Sequence, residues 1–235
     1  SPQHARALTP GLVAAGIDML VVQGTIISAE HVSGEDEPLN LKEFIGGLDV
    51  PVIAGGVVDH KTALHLMRTG AAGVIVGYGG VDGVTTTGQV LGMEVHMATA
   101  IADAAAARRD YLDETGGRYV HVLADGDIYT SGDIARAVAC GADAVVLGPL
   151  LAGALESPGG GVYWNSVSAH PKVPRGHVAE IDEETALAPL AEVLEGPTSV
   201  PDGTRNLMDG LRRAMAKCGY SDVKGFQRVD LSERP

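Results

Sequence analysis

The stretch that decides the fold is YVHVLADGDIYTSGDIARAVACGADAVVLGPLLAG, residues 119–153. It contains two short apolar runs, 120–124 and 144–147, which are typical of buried strands. Between them lie a polar turn and a segment with helical spacing, 132–140. Two apolar strands joined by a helix of this length predict a parallel βαβ unit.

Single residues mark the ends of this helix. Thr130 or Ser131 can cap its start, because a hydroxyl accepts a hydrogen bond from a backbone N–H of the first turn. Gly141 ends it, since glycine readily adopts the left-handed conformation that follows a helix. Ligands of parallel folds bind at the carboxyl ends of the strands, where Asp125 and Gly148 lie.

The same strand–helix unit recurs upstream. The phrases AAGIDMLVV, RTGAAGVIV and ACGADAVVL each take the chain from a helix into a strand, with Gly16, Gly70 and Gly141 between. Strands are predicted near residues 19, 52, 73, 120 and 144, and helices near 2–15, 39–46, 59–68, 97–111 and 207–217. The pattern predicts an α/β fold with a parallel sheet and helices outside it. A closed barrel needs about eight strands, so the chain forms either an open sheet or part of a barrel.

The composition disfavours several classes of partner. A net charge of −13 argues against nucleic acid and anionic membranes, since both bind through basic patches. No apolar run reaches the roughly 18 residues of a membrane span, and no targeting segment is visible. The two cysteines, Cys140 and Cys218, make no disulfide framework, so a cytoplasmic location is predicted. The eight histidines lack metal-ligand spacing, so no metal site is predicted.

Four phrases together resemble the IMP dehydrogenase/GMP reductase family. They are VIAGGVV (52–58), VIVGYGGVDGVTTT (74–87), LADGDIYTSGDIARAVACGADAVVLGPLLAGALESPG (123–159) and LRRAMAKCGY (211–220). The third phrase is too long for a chance match. The segment HMATAIADAAAARRDYLDETGGRYVHVLADGD (96–127) is most similar to an actinobacterial IMP dehydrogenase-related subgroup, the third GuaB paralogue.

The resemblance implies a TIM-type (βα)8 barrel, of which this chain carries about the last five βα units and needs the missing N-terminal strands. One domain, 1–235, would comprise βα units (1–153), a flap-like irregular segment (154–206) and a C-terminal helix and tail (207–235). The family oxidises IMP to XMP with NAD, or reduces GMP with NADPH. The resemblance thus implies a purine ligand, NAD, a possible monovalent cation and a homo-oligomer, usually a tetramer.

The resemblance also locates the catalytic loop and the cofactor side of the site. The loop corresponds to GYGGVDGVTTT, residues 77–87, and the family's nucleophilic cysteine falls at Val84, which cannot form a covalent adduct. Thr86 matches a threonine that helps to activate water. Gln23 stands where the family has a cofactor-contacting aspartate, and Gly56 stands where it has an asparagine.

Asp125 aligns with the aspartate that accepts hydrogen bonds from both ribose hydroxyls. A carboxylate suits that task because its two oxygens accept several hydrogen bonds at once. The alternative is that Asp125 caps its own turn. Gly126 and Gly148 are expected to keep the backbone open to a ligand.

Three substitutions fall at the positions that hold the nucleotide phosphate in the family. Asp82 replaces a loop serine, Asp127 replaces a glycine, and Pro149 replaces a serine and has no backbone N–H to donate. We therefore expect the barrel not to bind a purine monophosphate in the usual pose. The alternative is that both carboxylates turn to water while the turn amides still bind phosphate.

Two functions stay open at this point. The first is an NAD-dependent oxidoreductase of purine nucleotide metabolism, of the IMP dehydrogenase type, with a degenerate catalytic cysteine and phosphate site. The second is a non-catalytic barrel that binds a purine-related ligand or has a regulatory role. The family match favours the first, and the replaced site residues favour the second.

Overall fold

The computed structural model describes residues 1–24, 30–31, 38–77, 95–126, 128–163, 179–180 and 187–232, hereafter the described residues. Their strands are, in chain order, β1 Leu20–Gln23, β2 Glu30–His31, β3 Leu39–Asn40, β4 Val52–Val57, β5 Gly73–Val76, β6 His121–Ala124, β7 Ala144–Val145, β8 Val162–Tyr163 and β9 Ala179–Glu180. Their helices are a 3-10 turn Pro2–His4, α1 Ala5–Ala14, α2 Leu41–Gly46, α3 His60–Met67, α4 Met97–Thr115, α5 Ser131–Ala139, α6 Pro149–Ala152, α7 Leu190–Glu195, α8 Leu207–Lys217 and α9 Val223–Phe226.

Five of these strands form one parallel sheet in the order β1-β4-β5-β6-β7. The spatial order follows the chain order, so each βα unit adds the next strand on the same side. The predicted α/β fold with five parallel strands is therefore confirmed. The short pairs β2–β3 and β8–β9 are antiparallel and lie outside this sheet.

The main sheet is curved. Gln23 at the end of β1 donates a hydrogen bond to Asp125, which follows β6, although β4 and β5 separate these strands. In a flat sheet, three strand spacings would hold β1 and β6 about 14 Å apart. Since side chains stand roughly perpendicular to a sheet, these two meet only if the sheet curls like a barrel wall.

The two faces of the sheet have different partners. The helix-facing residues join one hydrophobic core with α3, α4 and α5; they include Val22, Val52, Ala54, Val74, Val76, Val122 and Ala124. The alternate residues lie on the inner face with Gln23 and Asp125, and they include Val21, Ile53, Ile75 and Leu123. Ile75 is buried, whereas Val21 on the outermost strand is half exposed.

The local signals for α5 predict its ends well. Thr130 is the N-cap, and its side chain and that of Asp133 form a reciprocal capping box. Gly141 follows the helix with a φ of 115°, in the left-handed region that glycine tolerates. Gly16 and Gly70 also have positive φ, as their places at helix ends predict.

Two predicted boundaries are wrong. The strand predicted over 144–147 ends at Val145, although the Val146 N–H still donates to the Ala124 carbonyl at 2.8 Å. The chain turns away there because Pro149 opens α6. The helix predicted from residue 39 begins at Leu41, because the Asn40 side chain caps it and Asn40 itself pairs with β2.

The C-terminal segment packs on the outside of α5. Helix α8 spans the predicted 207–217, and its Met215 packs with Val138 and Phe226 in a second apolar cluster. Gln227 donates to the Ala142 carbonyl at 2.8 Å, which ties this segment to the start of β7. None of the helices in the described parts of the chain has the length and hydropathy that crossing a membrane requires.

Candidate functional site

The predicted site residues follow the carboxyl ends of the sheet strands. Gln23 ends β1, Gly56 lies near the end of β4, Gly77 follows β5, Asp125 follows β6, and Gly148 comes soon after β7. Because the strands are parallel, all five positions lie at one edge, which we call the carboxyl edge.

The central contact at the carboxyl edge joins Gln23 to Asp125. The Gln23 Nε2 donates to Asp125 Oδ2 at 2.5 Å. Asp125 is only 7% exposed, and its backbone N–H donates to the Val76 carbonyl at 2.7 Å. Backbone and side chain are therefore both anchored, and the carboxylate has a defined direction.

Burial sets the protonation behaviour of Asp125. Desolvation raises the pKa of this carboxyl group above its usual value, and the hydrogen bond from Gln23 acts in the opposite direction. No arginine, lysine or histidine of the described residues forms an ion pair with it. The carboxyl group thus lies in a low-dielectric environment, where hydrogen bonds from a ligand would be strong.

Two glycines bring the surrounding backbone close. Gly77 has a φ of 107°, and a Cβ at this position would collide with the backbone oxygen of Asp125. A Cβ on Gly55 would lie 2.5 Å from the Cβ of Ile75, so Ile75 fills the place of a side chain there. Gly55 and Ile75 share a register row with Gln23 and separate it from β6. The Gln23 side chain therefore crosses an apolar layer to reach Asp125.

The structure differs from the expectation of an open approach at Gly148. The phenol of Tyr163 lies over this residue, so a Cβ there would be 2.6 Å from Tyr163 Oη. Pro149 forms the first position of the four-residue helix α6, where its missing N–H costs no hydrogen bond. A tyrosine from β8 thus covers the turn after β7.

Three amides at the start of α5, those of Tyr129, Thr130 and Ser131, already have internal acceptors. The N–H groups of Tyr129 and Thr130 donate to Asp133 Oδ2 at 3.1 and 2.9 Å. The Ser131 N–H donates to the Gly203 carbonyl at 2.8 Å. A helix N-terminus commonly binds anions through such amides, but here a carboxylate and a carbonyl of the same chain take these three.

Neither cysteine lies at the carboxyl edge. Cys140 is half-buried at the end of α5, in a cleft that also contains Met97 and Arg136. Burial raises the pKa of its thiol, and the charge of Arg136 opposes this shift. A raised pKa disfavours the nucleophilic thiolate. Cys218 is exposed at the end of α8.

Several predicted site residues lie outside the described residues: Asp82, Val84, Thr86 and Asp127. The predictions for the catalytic loop and for the two acidic replacements near the phosphate stay predictions. Among the described residues, no group of three or more histidine, cysteine, aspartate or glutamate side chains is arranged to hold a metal ion.

Sequence reasoning missed two features of the edge. The bond between Gln23 and Asp125 joins residues 102 positions apart, and only the amide at the end of the apolar run LVVQ hints at it. Tyr163 follows the run of glycines at 159–161, and no periodic pattern marks it as a neighbour of Gly148.

The sequence model of one protein family, the IMP dehydrogenase/GMP reductase domain, matches residues 3–233 of this chain. The chain belongs to this family. A crystal structure of an IMP dehydrogenase/GMP reductase-like protein from Corynebacterium glutamicum superposes with a TM-score of 0.87 and 59% identity, covering 97% of this chain and 58% of that one. The fold class is thereby confirmed as a TIM-type (βα)8 barrel, to which this chain contributes five strands.

Curated relatives give the same family. The chain is 67% identical over 232 residues to an uncharacterized oxidoreductase of Mycobacterium tuberculosis, covering 99% of this chain and 62% of the relative. It is 40% identical over 149 residues to an inosine-5'-monophosphate dehydrogenase of Haemophilus influenzae, covering 63% of this chain and 28% of the relative. The chain thus spans about three fifths of the length of the mycobacterial relative.

Proposed function

We propose that this chain is part of a barrel that binds a purine nucleoside or base at the carboxyl edge. In this proposal Asp125 accepts a hydrogen bond from the sugar, and the protein does not carry out the cysteine-dependent oxidation of IMP. The observation that carries the proposal is the buried Asp125 carboxylate, anchored at the edge where barrels bind ligands. The assignment to the third GuaB paralogue belongs to the same proposal, and the chain's 67% identity to a mycobacterial protein agrees with an actinobacterial subgroup.

The phosphate side supports an uncharged ligand. Barrels often hold phosphate with the loops after the last two strands. Here three amides before and within α5 donate to Asp133 and Gly203, and Pro149 has no N–H to donate. Tyr163 covers Gly148. A phosphate would have to displace these internal partners, and Asp82 and Asp127 add carboxylates to the same sequence segments.

The two cofactor positions do not fit NAD as the family resemblance implies. The amide of Gln23 is engaged with Asp125, and Gly56 has no side chain to offer. The Gly56 N–H donates to the Gly24 carbonyl at 3.0 Å. We therefore derive no hydride-transfer step through these residues, and we place Val84 and Thr86 in a loop without a nucleophile.

The second candidate is an NAD-dependent oxidoreductase of purine nucleotide metabolism. The names of the mycobacterial relatives, uncharacterized oxidoreductases with up to 67% identity, favour it. It predicts NADH formation from NAD and IMP, whereas the first candidate predicts none. Absorbance of NADH after mixing the protein with both compounds separates the two.

A homo-oligomer, a tetramer by family, is part of the same proposal. Several apolar side chains in and next to α1 and β1 are exposed, and contact with another subunit would bury them. They are Leu8, Leu12, Val13, Met19 and Val21. Light scattering of the chain measures the assembly directly, and a monomer at all concentrations would contradict it.

Calorimetric titration with IMP and inosine at low salt and neutral pH tests the proposed ligand. We expect inosine to bind more tightly than IMP, and Asp125→Asn to weaken inosine binding at least tenfold. Asp113→Asn, which removes an exposed carboxylate at the end of α4, is the matched control and should bind like the unmodified chain. Tighter binding of IMP than of inosine would overturn the proposal.

A further inference from the structure

Asp125 and Asp143 lie at opposite ends of the neighbouring strands β6 and β7 and have opposite surroundings. Asp143, just before β7, accepts hydrogen bonds from Arg108, Tyr119, Gln227 and the Val122 N–H. Burial alone would raise the pKa of Asp143, but these bonds and the charge of Arg108 hold it below its usual value. This network lies at the amino end of the strands and its acceptor capacity is used within the protein, which is what a structural aspartate requires.

Asp125 lies at the other end of β6 and has a different set of partners. Within the described residues, one side chain donates to its carboxylate, the amide of Gln23, and no cation pairs with it. An ionised carboxylate has about four acceptor sites on two oxygens, so the one donor among the described residues uses only part of this capacity. Among the described residues, the partner of this buried group at the carboxyl edge is therefore neutral rather than charged.

Gln23 is well suited to aim the carboxylate. Its amide comes from the opposite side of the curved sheet, and Asp125 is already fixed through its backbone bond to Val76. A primary amide carries a second N–H and a carbonyl oxygen besides the N–H that binds Asp125. Gln23 and Asp125 therefore present acceptor and donor atoms side by side at the mouth of the barrel.

We propose that Gln23 is a positioning residue for Asp125 and that the two side chains form a joint receptor for a vicinal diol, such as the two hydroxyls of a ribose. One hydroxyl donates to the Asp125 carboxylate, and the neighbouring hydroxyl exchanges a hydrogen bond with the Gln23 amide. This inference rests on the proposed nucleoside binding and adds what selects the sugar.

The test compares ligands that differ by one hydroxyl. The probes are inosine, 2'-deoxyinosine, 3'-deoxyinosine and hypoxanthine, titrated calorimetrically into the unmodified chain, Gln23→Met and Gln23→Asn. Methionine keeps the length of the side chain and removes the amide, whereas asparagine keeps the amide and shortens its reach. Gln227→Met removes an amide from the Asp143 network and is the matched control.

We expect the unmodified chain and Gln227→Met to bind inosine at least tenfold more tightly than either deoxynucleoside. In Gln23→Met this ratio should fall to about one for the deoxynucleoside that lacks the hydroxyl bound by the amide. It should fall less for the other deoxynucleoside, whose missing hydroxyl is the one that binds Asp125, while hypoxanthine binds unchanged. Gln23→Asn should lie between these limits. An unchanged ratio in Gln23→Met, or an equal loss for all four probes, would overturn the joint receptor.

A second readout needs no ligand. NMR titration of carbon-13-labelled aspartate carboxyls, with Asp125 assigned through its absence in Asp125→Asn, follows the charge of the carboxylate. Loss of the Gln23 amide should raise the apparent pKa of Asp125 in Gln23→Met and leave it unchanged in Gln227→Met. If no probe binds but this shift occurs, nucleoside binding and the diol receptor fail while the positioning role stands. If the titration does not move, the positioning role is wrong whatever the chain binds.

Discussion

Replacing Gln23 with glutamate should turn the central hydrogen bond into a repulsion. The two side chains have the same shape, so a carboxylate oxygen would take the place of the Gln23 amide nitrogen, which lies 2.5 Å from Asp125 Oδ2. Two full charges at that distance repel by about 6.6 kcal/mol at an effective dielectric constant of about 20. That energy corresponds to roughly five pKa units, so the pair would share a proton at neutral pH.

The sign of the pH dependence follows from the raised pKa. Asp125 already has a pKa above its usual value because it is buried, and a second carboxyl group would raise the apparent pKa of the pair further. A raised folded-state pKa gives stability that is fully present below the unfolded pKa of about 4 and is lost as pH rises through the folded pKa. Gln23→Glu should therefore unfold like the unmodified chain near pH 4 and become progressively less stable towards pH 8.

Urea unfolding at pH 4, 5, 6, 7 and 8 measures this difference. Gln23 is half-buried at a strand end, so a glutamate can rotate partly into water, and we expect a loss of about 2–3 kcal/mol at pH 8. Gln227→Glu is the control, since it also faces an aspartate, Asp143, but one already paired with Arg108, so its pH dependence should be weaker. Equal stability of Gln23→Glu and the unmodified chain at every pH would refute the contact between Gln23 and Asp125.

Three further changes test other parts of the structure. Asp143→Asn leaves the buried Arg108 without its counter-charge and should lower the free energy of unfolding by about 2–4 kcal/mol. Because the pKa of Asp143 is lowered in the folded chain, this difference between variant and unmodified chain should shrink as pH falls through that pKa, which acid unfolding scans measure. Gly77→Ala forces a Cβ into the backbone of Asp125 at positive φ and should cost about 2 kcal/mol or more in urea unfolding, whereas Gly116→Ala, also at positive φ but with open space around it, should cost less. Val84→Cys should yield no NADH from IMP and NAD, because Gln23 and Gly56 still lack the cofactor contacts; robust turnover would show that these positions do not matter.

The sequence predicts the parts of this structure that local chemistry determines. Apolar runs of about four residues and glycines at helix ends identify all five strands of the main sheet. The hydroxyl of Thr130 or Ser131 marks the start of α5, and the structure has Thr130 as the N-cap. The strand at 144–147 is predicted too long because apolar character continues to Leu147, while the turn into α6 depends on Pro149. Local sequence patterns thus predict the helices and strands, whereas the turns that follow them determine the residues at which they end.

The partner of Gln23 could not be predicted in the same way. Its contact with Asp125 depends on the total curvature of four neighbouring strands, and no single stretch of sequence determines that curvature. Tyr163 reaches Gly148 from an irregular segment for the same reason. The sequence therefore predicts which residues end the strands, and the curvature of the sheet decides which of them touch.

The amide at position 23 also removes a charge repulsion that an aspartate at this position would have with Asp125. The family resemblance places an aspartate there, and a carboxylate facing Asp125 would need a cation or ligand atoms between the two charges to relieve their repulsion. Gln23 removes that requirement, because its N–H binds Asp125 directly. In the described part of the carboxyl edge, the Asp125 carboxylate is therefore held by a side chain of the protein itself. This preorganisation, together with the valine at the position where the resemblance places the cysteine, is why we propose recognition of a neutral sugar rather than covalent chemistry on a nucleotide.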